Sequence, residues 1–192
     1  MNTENAMGIQ DNFGNILDEL RDALSVINDA DAEKLATAVS EAQSVFVAGG
    51  GRSGLAMRSF AMRLMHLGYN VHVVGETTTP GITDKDLLIV GSGSGATRSL
   101  IAHAKAAHSM GASVALITID KDSTIAGIAD PVLTIAAPSN KIAGKTGFKS
   151  IQPLGSLFEQ GLLLTLDGIV LLLMEATGED SAMMFKRHAN LE

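Results

Sequence analysis

The sequence predicts an α/β fold: a three-layer α/β/α sandwich around a five-stranded parallel sheet, in the strand order 2-1-3-4-5. Three observations lead there. Short apolar runs alternate with helical patterns, as βαβ units do. The runs lack polar alternation, as in Leu87-Leu88-Ile89-Val90, which fits strands buried on both faces. The first and third runs end in turns rich in glycine and hydroxyl residues, where an open parallel sheet receives its ligand. The chain of 192 residues fits one compact domain, 1–192, with helices at about 9–42 and 155–188 packed on the core.

The elements follow in order. Ile9, Phe13, Ile16, Leu17, Leu20, Leu24 and Ile27 recur at helical spacing, so 9–27 is an amphipathic helix. A second helix spans 31–42, with Asp31 suited to its N-cap. Strand 44–48 precedes helix 53–67, which Gly68 closes. Strand 70–74 leads into a 75–81 loop, then strand 87–90 and helix 97–110, closed by Gly111. Strand 113–119, a short helix 123–129 and strand 131–135 complete the sheet. Right-handed crossovers then give the doubly wound, flavodoxin-like arrangement. Residues 136–152 form a long polar loop, a feature often tied to function. A long apolar helix follows at 155–176, then a short one at 181–188.

Composition narrows the function. The net charge is −7, with 21 acidic and 14 basic residues, which argues against a nucleic-acid partner. Aromatic residues are 4% of the chain, too few for a base-stacking platform. With no cysteine, disulfides and thiolate metal sites are excluded. The opening Met1-Asn2-Thr3-Glu4-Asn5 is polar and acidic, unlike a signal peptide. The apolar run 162–174 contains Asp167 and is short for a membrane span, so it reads as a buried helix. The expected setting is cytoplasmic.

The two glycine turns carry the chemistry. The first is Gly49-Gly50-Gly51-Arg52-Ser53-Gly54; the second is Gly91-Ser92-Gly93-Ser94-Gly95-Ala96-Thr97. Glycine admits close approach of backbone to ligand, and the first amides of the following helix attract an anion. Ser53, Ser92, Ser94 and Thr97 add neutral donors, and Arg52 adds a cation for phosphate or substrate oxygens. Ser92 and Ser94 also suit turn and N-cap positions, a role compatible with phosphate binding. Gly49, Gly51 and Gly54 match G-x-G-x-x-G, with Glu76 after the next strand, so a dinucleotide-binding oxidoreductase is one reading. A single small phosphate held by both turns accounts for the second turn as well.

These loops resemble the sugar isomerase (SIS) domain, whose Ser-x-Ser-Gly-x-Thr signature is met by Ser92, Ser94, Gly95 and Thr97. Ala96 stands where that family is often acidic. From about Phe13 onward the chain resembles the 6-phospho-3-hexuloisomerase family. The likeness lies in Gly50-Gly51-Arg52-Ser53-Gly54, Gly75-Glu76-Thr77-Thr78-Thr79-Pro80, Gln152-Pro153-Leu154-Gly155-Ser156-Leu157-Phe158-Glu159-Gln160 and Arg187-His188-Ala189-Asn190-Leu191-Glu192.

The resemblance implies interconversion of D-arabino-hex-3-ulose 6-phosphate and D-fructose 6-phosphate through a cis-enediol. That is a step of formaldehyde fixation in the ribulose monophosphate pathway. Such proton transfer requires a base and an acid, with no metal or redox cofactor. Glu159 is the candidate base, with apolar neighbours that raise a carboxylate's pKa and a helix N-terminus that lowers it. His188 is the candidate for assisting ring opening or oxygen protonation, acting in a neighbouring subunit's site. His66, His72, His103 and His108 read as surface or packing residues. The resemblance also implies a homo-oligomer, a tetramer, with helix 162–174 and the N-terminal helix offering contact surfaces. Another phosphosugar isomerase and a noncatalytic sugar-phosphate-binding SIS protein are the alternatives.

Overall fold

The structure, a computed structural model, describes residues 8–139 and 147–191. The opening segment 1–5 and residues 140–146 of the predicted 136–152 loop lie outside the described residues. Five strands, β1 (Val45–Gly49), β2 (Val71–Val73), β3 (Leu87–Gly91), β4 (Ser113–Thr118) and β5 (Val132–Thr134), form one parallel sheet. Its order is β2-β1-β3-β4-β5, as the alternating pattern predicts.

Among the described residues, six α-helices surround it: α1 (Ile9–Leu24), α2 (Asp29–Glu41), α3 (Gly51–His66), α4 (Arg98–Ser109), α5 (Ser156–Thr177) and α6 (Ser181–Phe185). Successive strand residues point to opposite faces. Val45, Val47, Leu87, Ile89, Ala115 and Ile117 meet the layer of α1, α2, α3 and α5. Phe46, Ala48, Leu88, Val90, Val114 and Leu116 meet α4 and Ile125. No helix crosses from β2 to β3; there Val74 and Ile82, from the connecting loop, pack against the α4-side core.

Helix α5 is long and apolar enough by composition to pass for a membrane span, yet half of it is buried in the fold. Leu162, Leu166, Ile169 and Leu173 recur on its buried stripe, packed into the main core. Leu163, Leu164 and Leu171 remain exposed on its outer side.

Several boundaries differ from the sequence expectation, for local reasons. Helix α1 stops at Leu24, and Ile27 reaches the core from the turn beyond it. The N-cap of α2 is Asn28, not Asp31: the Asn28 side chain accepts hydrogen bonds from the amides of Ala30 and Asp31. The predicted 123–129 helix is a single 3-10 turn, Ala126–Ile128. Beyond α6, Lys186, Arg187 and His188 each donate to the carbonyl three residues back, so the chain tightens rather than continuing as α-helix to His188.

Gly49 and Gly54 bring β1 and α3 together. A Cβ on Gly54 would stand 2.7 Å from the Gly49 carbonyl oxygen, and one on Gly49 would stand 3.0 Å from the Gly54 amide nitrogen. Both clashes are with backbone, which cannot rotate away. Gly54→Ala is expected to destabilise the protein by about 1–3 kcal/mol through overpacking. Urea unfolding checks this, and an unchanged midpoint would show that β1 and α3 can separate at little cost.

Candidate functional site

The register pairs Gly49 of β1 with Gly91 of β3, so both strands end level. Above them opens a cleft of about 510 Å³. Its floor is Gly91-Ser92-Gly93-Ser94. Gly50, Gly51 and Ser53 wall it from the start of α3, Thr97 from the N-cap of α4, and Gly155, Phe158 and Glu159 from the start of α5. Ile119, Leu154, Pro138 and Ser139 complete the rim.

Three helices therefore direct their N-termini at one cavity. Their N-cap residues, Gly50, Thr97 and Gly155, make no side-chain cap hydrogen bond. Helices α2 and α6 differ, being capped by Asn28 and Asp180. Uncapped first-turn amides are donors without an intrahelical partner, and the helix dipole adds partial positive charge. A chain of net charge −7 thus has a local concentration of helix N-terminal amides, of the kind that suits an anion.

The second glycine turn is held from behind. The Gly93 carbonyl accepts from Thr118 Oγ1 at 3.1 Å and from the Ile119 amide at 3.0 Å. The Gly95 carbonyl accepts from the Ile125 amide at 3.1 Å. Gly95 has φ +55, and a Cβ there would collide with Ser123 Oγ, so glycine is required on two counts. Ser92 is buried, while Ser94 Oγ accepts from the Ala96 amide at 3.3 Å. Ser94 thus serves the turn as well as lining the cleft, while neither Ser92 nor Ser94 is the N-cap of α4, which is Thr97.

Ser53, Ser92, Ser94, Thr97 and Glu159 thus come together from three separate segments. Arg52 stands beside them, its Nε 3.0 Å from Glu159 Oε2 and its Nη1 donating to Ser156 Oγ at 3.2 Å. It ties the start of α3 to the start of α5 and fixes the Glu159 carboxylate at the cleft. Pro138, Ser139, Leu154 and Phe158 also line the cavity. Pro138 and Ser139 belong to the 136–152 loop expected to be functional, and Leu154 and Phe158 to the stretch around Glu159 that carries the resemblance. Sequence reasoning gave none of the four an individual place at the site, because order along the chain gives no sign of which side chains meet over the strand ends. Glu76, the acidic partner of the dinucleotide fingerprint, forms an ion pair with Arg58 instead of lining the cleft.

His188 lies elsewhere in the same chain. Its ring stacks on His66 with centroids 5.3 Å apart, and on Phe185 at 5.7 Å. Next to it, Arg187 donates to the His66 carbonyl at 2.9 Å and forms a forked pair with Glu179 at 3.0 Å on each arm. The tail is thereby fastened to the C-terminus of α3, whose N-terminus faces the cleft. That 16-residue helix is roughly 24 Å long, so His188 is a helix length from Glu159.

The SIS domain pattern matches residues 38–164. The chain belongs to the SIS domain family. It is 48% identical over 177 residues to the 3-hexulose-6-phosphate isomerase of Bacillus subtilis, covering 92% of this chain and 95% of that relative. It is 41% identical over 184 residues to the 3-hexulose-6-phosphate isomerase of Mycobacterium gastri, covering 96% and 92%. A solved structure of a hypothetical protein from Methanococcus jannaschii, whose inferred molecular function is 3-hexulose-6-phosphate isomerase, superposes with a TM-score of 0.80. It shares 30% identity, covering 94% of this chain and 99% of that one.

The buried His66 of the histidine stack in this SIS protein makes stability depend on pH in an expected direction. His66 is 3% exposed, and its pKa is lowered by burial first, then by Arg63 and His188. The unfolded chain therefore takes up a proton at His66 near pH 6.5, where the folded chain does not. Stability associated with neutral His66 is full above that pH and is lost as pH falls toward the lowered folded value. Denaturant midpoints at pH 7.5 and 5.5 check this: the drop should be smaller in His66→Gln than in the parent, and an equal drop would reject the assignment.

Proposed function

We propose that this protein is a 3-hexulose-6-phosphate isomerase, interconverting D-arabino-hex-3-ulose 6-phosphate and D-fructose 6-phosphate. The observation that carries the reading is the joining of the two hydroxyl-bearing turns and the Glu159 carboxylate around one cleft. The names of the full-length relatives support the substrate. In this reading residues 1–192 act as one domain, in the cytoplasm, where a phosphorylated sugar is retained by its charge.

The substrate phosphate sits on Ser53, Ser92, Ser94 and Thr97 and on the helix amides beside them. Those contacts bind substrate and transition state alike and so set affinity. With the phosphate fixed, the sugar backbone extends toward Glu159. Its carboxylate takes the proton from C2 of the 3-ulose. The electrons form the enediol, and the same group returns the proton at C3. A proton moves from O2 to O3 in the same conversion. Arg52 keeps the Glu159 carboxylate oriented and sets a positive charge beside the developing enediolate.

Fructose 6-phosphate enters as a closed furanose, so the reverse direction also needs an acid–base group for ring opening. We assign that role to His188 of a second copy, because His188 and Glu159 of one chain are a helix length apart. A homo-oligomer follows from this reading, and the family resemblance implies a tetramer. Leu55 and Met62 on α3, Leu164 and Leu171 on α5, and Phe185 on α6 are exposed apolar side chains available for its contacts.

Glu159→Gln keeps the size of the side chain but removes the base. Turnover in a fructose 6-phosphate formation assay is expected to fall at least about 100-fold with substrate still bound. Near-normal turnover would reject the base, and a parent that binds hexulose phosphate without converting it would point to a noncatalytic sugar-phosphate sensor.

Mixing inactive Glu159→Gln subunits with inactive His188→Ala subunits under exchange conditions tests the shared site. Some mixed sites would receive both intact residues, so partial recovery is expected. Full activity of His188→Ala alone would remove the residue from the mechanism; confirmed subunit exchange without recovery would confine it to its own subunit.

A further inference from the structure

Helix α1 contributes no residue to the cleft lining, yet one of its side chains reaches the segment that rims it. Glu19 accepts from Ser150 Oγ at 2.7 Å, from the Ile151 amide at 2.7 Å and from Gln152 Nε2 at 3.0 Å. Ser150 Oγ in turn accepts from the Gln152 amide at 3.0 Å, closing a small knot around the carboxylate. Two residues further on, Leu154 holds a left-handed φ of +54, is 81% exposed and lines the cleft. Gly155 then starts α5, and its carbonyl accepts from the amide of Glu159 at 2.9 Å.

We propose that Glu19 is a positioning residue for the substrate cleft: it latches residues 150–152 onto α1 and thereby fixes Leu154 and the first turn of α5 in their binding geometry. The inference rests on the phosphosugar reading of the cleft and adds a residue that touches no substrate. An exposed apolar side chain at positive φ has no local reason to hold that conformation, because a β-carbon disfavours it. Something outside the segment must hold the backbone there. Glu19 does so with three donors converging on one carboxylate, over 130 residues away in sequence.

The chemistry suits a permanent latch. Burial raises the Glu19 pKa, but the hydrogen bonds from Gln152, Ser150 and the Ile151 amide outweigh it and leave the net value below the ordinary carboxylate range. The carboxylate is therefore ionised at neutral pH and is a strong acceptor. A glutamine there turns one acceptor oxygen into a donor facing three donors, so the knot cannot close as before.

The test compares the full-length parent with Glu19→Gln by steady-state kinetics and by amide hydrogen exchange. In Glu19→Gln the KM for hexulose 6-phosphate should rise about tenfold, as loss of hydrogen bonds to a charged group implies, while kcat stays within about threefold. The Ile151 and Gln152 amides should exchange faster, with the α1 amides unchanged. Unchanged KM overturns the proposal, whether or not exchange speeds up, since faster exchange alone marks a merely structural contact. If Glu19→Gln does not fold, Ser150→Ala/Gln152→Ala leaves α1 intact and should give the same KM shift; a parental KM there overturns the proposal too. Calorimetric binding of fructose 6-phosphate to the parent separates the two failures. A parent that neither binds it nor turns over hexulose phosphate defeats the phosphosugar reading, and the latch's role in affinity falls with it.

Discussion

Close packing directly beneath the cleft sets where the helices of the site begin, and the site depends on it. Gly49 and Gly91 end neighbouring strands at the same level. A Cβ on Gly91 would stand 2.7 Å from Met57 Sδ and 2.9 Å from Leu162 Cδ2. Met57 belongs to α3 and Leu162 to α5, so both helices press onto the strand ends through that one missing side chain. With the Gly49–Gly54 contact beside it, this fixes where α3 and α5 begin. Ser53, Arg52 and Glu159 all lie within the first turns of those helices. The constraint is steric: bulk at the strand ends would push the helix starts apart and open the distance that the Arg52–Glu159 pair spans.

Electrostatics completes what packing begins. The cleft faces three helix starts without side-chain caps, so its attraction for an anion comes from fixed backbone dipoles. Such dipoles need no reorganisation when charge arrives, whereas long surface cations must be ordered first. Arg52, the cation at the edge, is spent on Glu159 rather than left free. In the proposed reading, phosphate binding and proton transfer would fall to different groups: amides and hydroxyls for the phosphate, a carboxylate with its own counter-ion for the carbon acid.

Much of this was legible in the sequence because it is written locally. The apolar runs of β1, β3 and β4, the glycine turns and the switch-point rule lead to the sheet order and bring Ser53 and the Ser92–Thr97 loop to one place. The Asn28 cap was misplaced onto Asp31 because both residue types cap equally well and only the backbone distinguishes them. Leu154 and Glu19 were beyond reach for a different reason. A leucine at positive φ carries no signal in its own neighbourhood, and its restraint comes from a helix at the other end of the chain. G-x-G-x-x-G shows the converse. Gly49 and Gly54 are explained by β1–α3 packing and Gly51 by its φ of +54, and the acidic partner Glu76 is paired with Arg58 on α3, so the pattern records a tight strand–helix turn without requiring a nucleotide.

Helix α3 links the two halves of the molecule that the sequence resemblance singled out. Its first turn carries Arg52 and Ser53 at the cleft; its last turn carries His66, on which His188 stacks. Arg187 reinforces the second contact by donating to the His66 carbonyl, an unsatisfied acceptor at the helix C-terminus where a cation is also favoured by the dipole. One rigid rod therefore has the cleft at its positive end and a cation-fastened tail at its negative end. A rod cannot bend to bring its ends together, so within one chain the His188 imidazole stays apart from the Glu159 carboxylate. Two copies placed antiparallel along this helix would bring the tail end of each to the cleft end of the other. Leu55 and Met62 lie on its exposed side between those ends, where such a pairing would bury them.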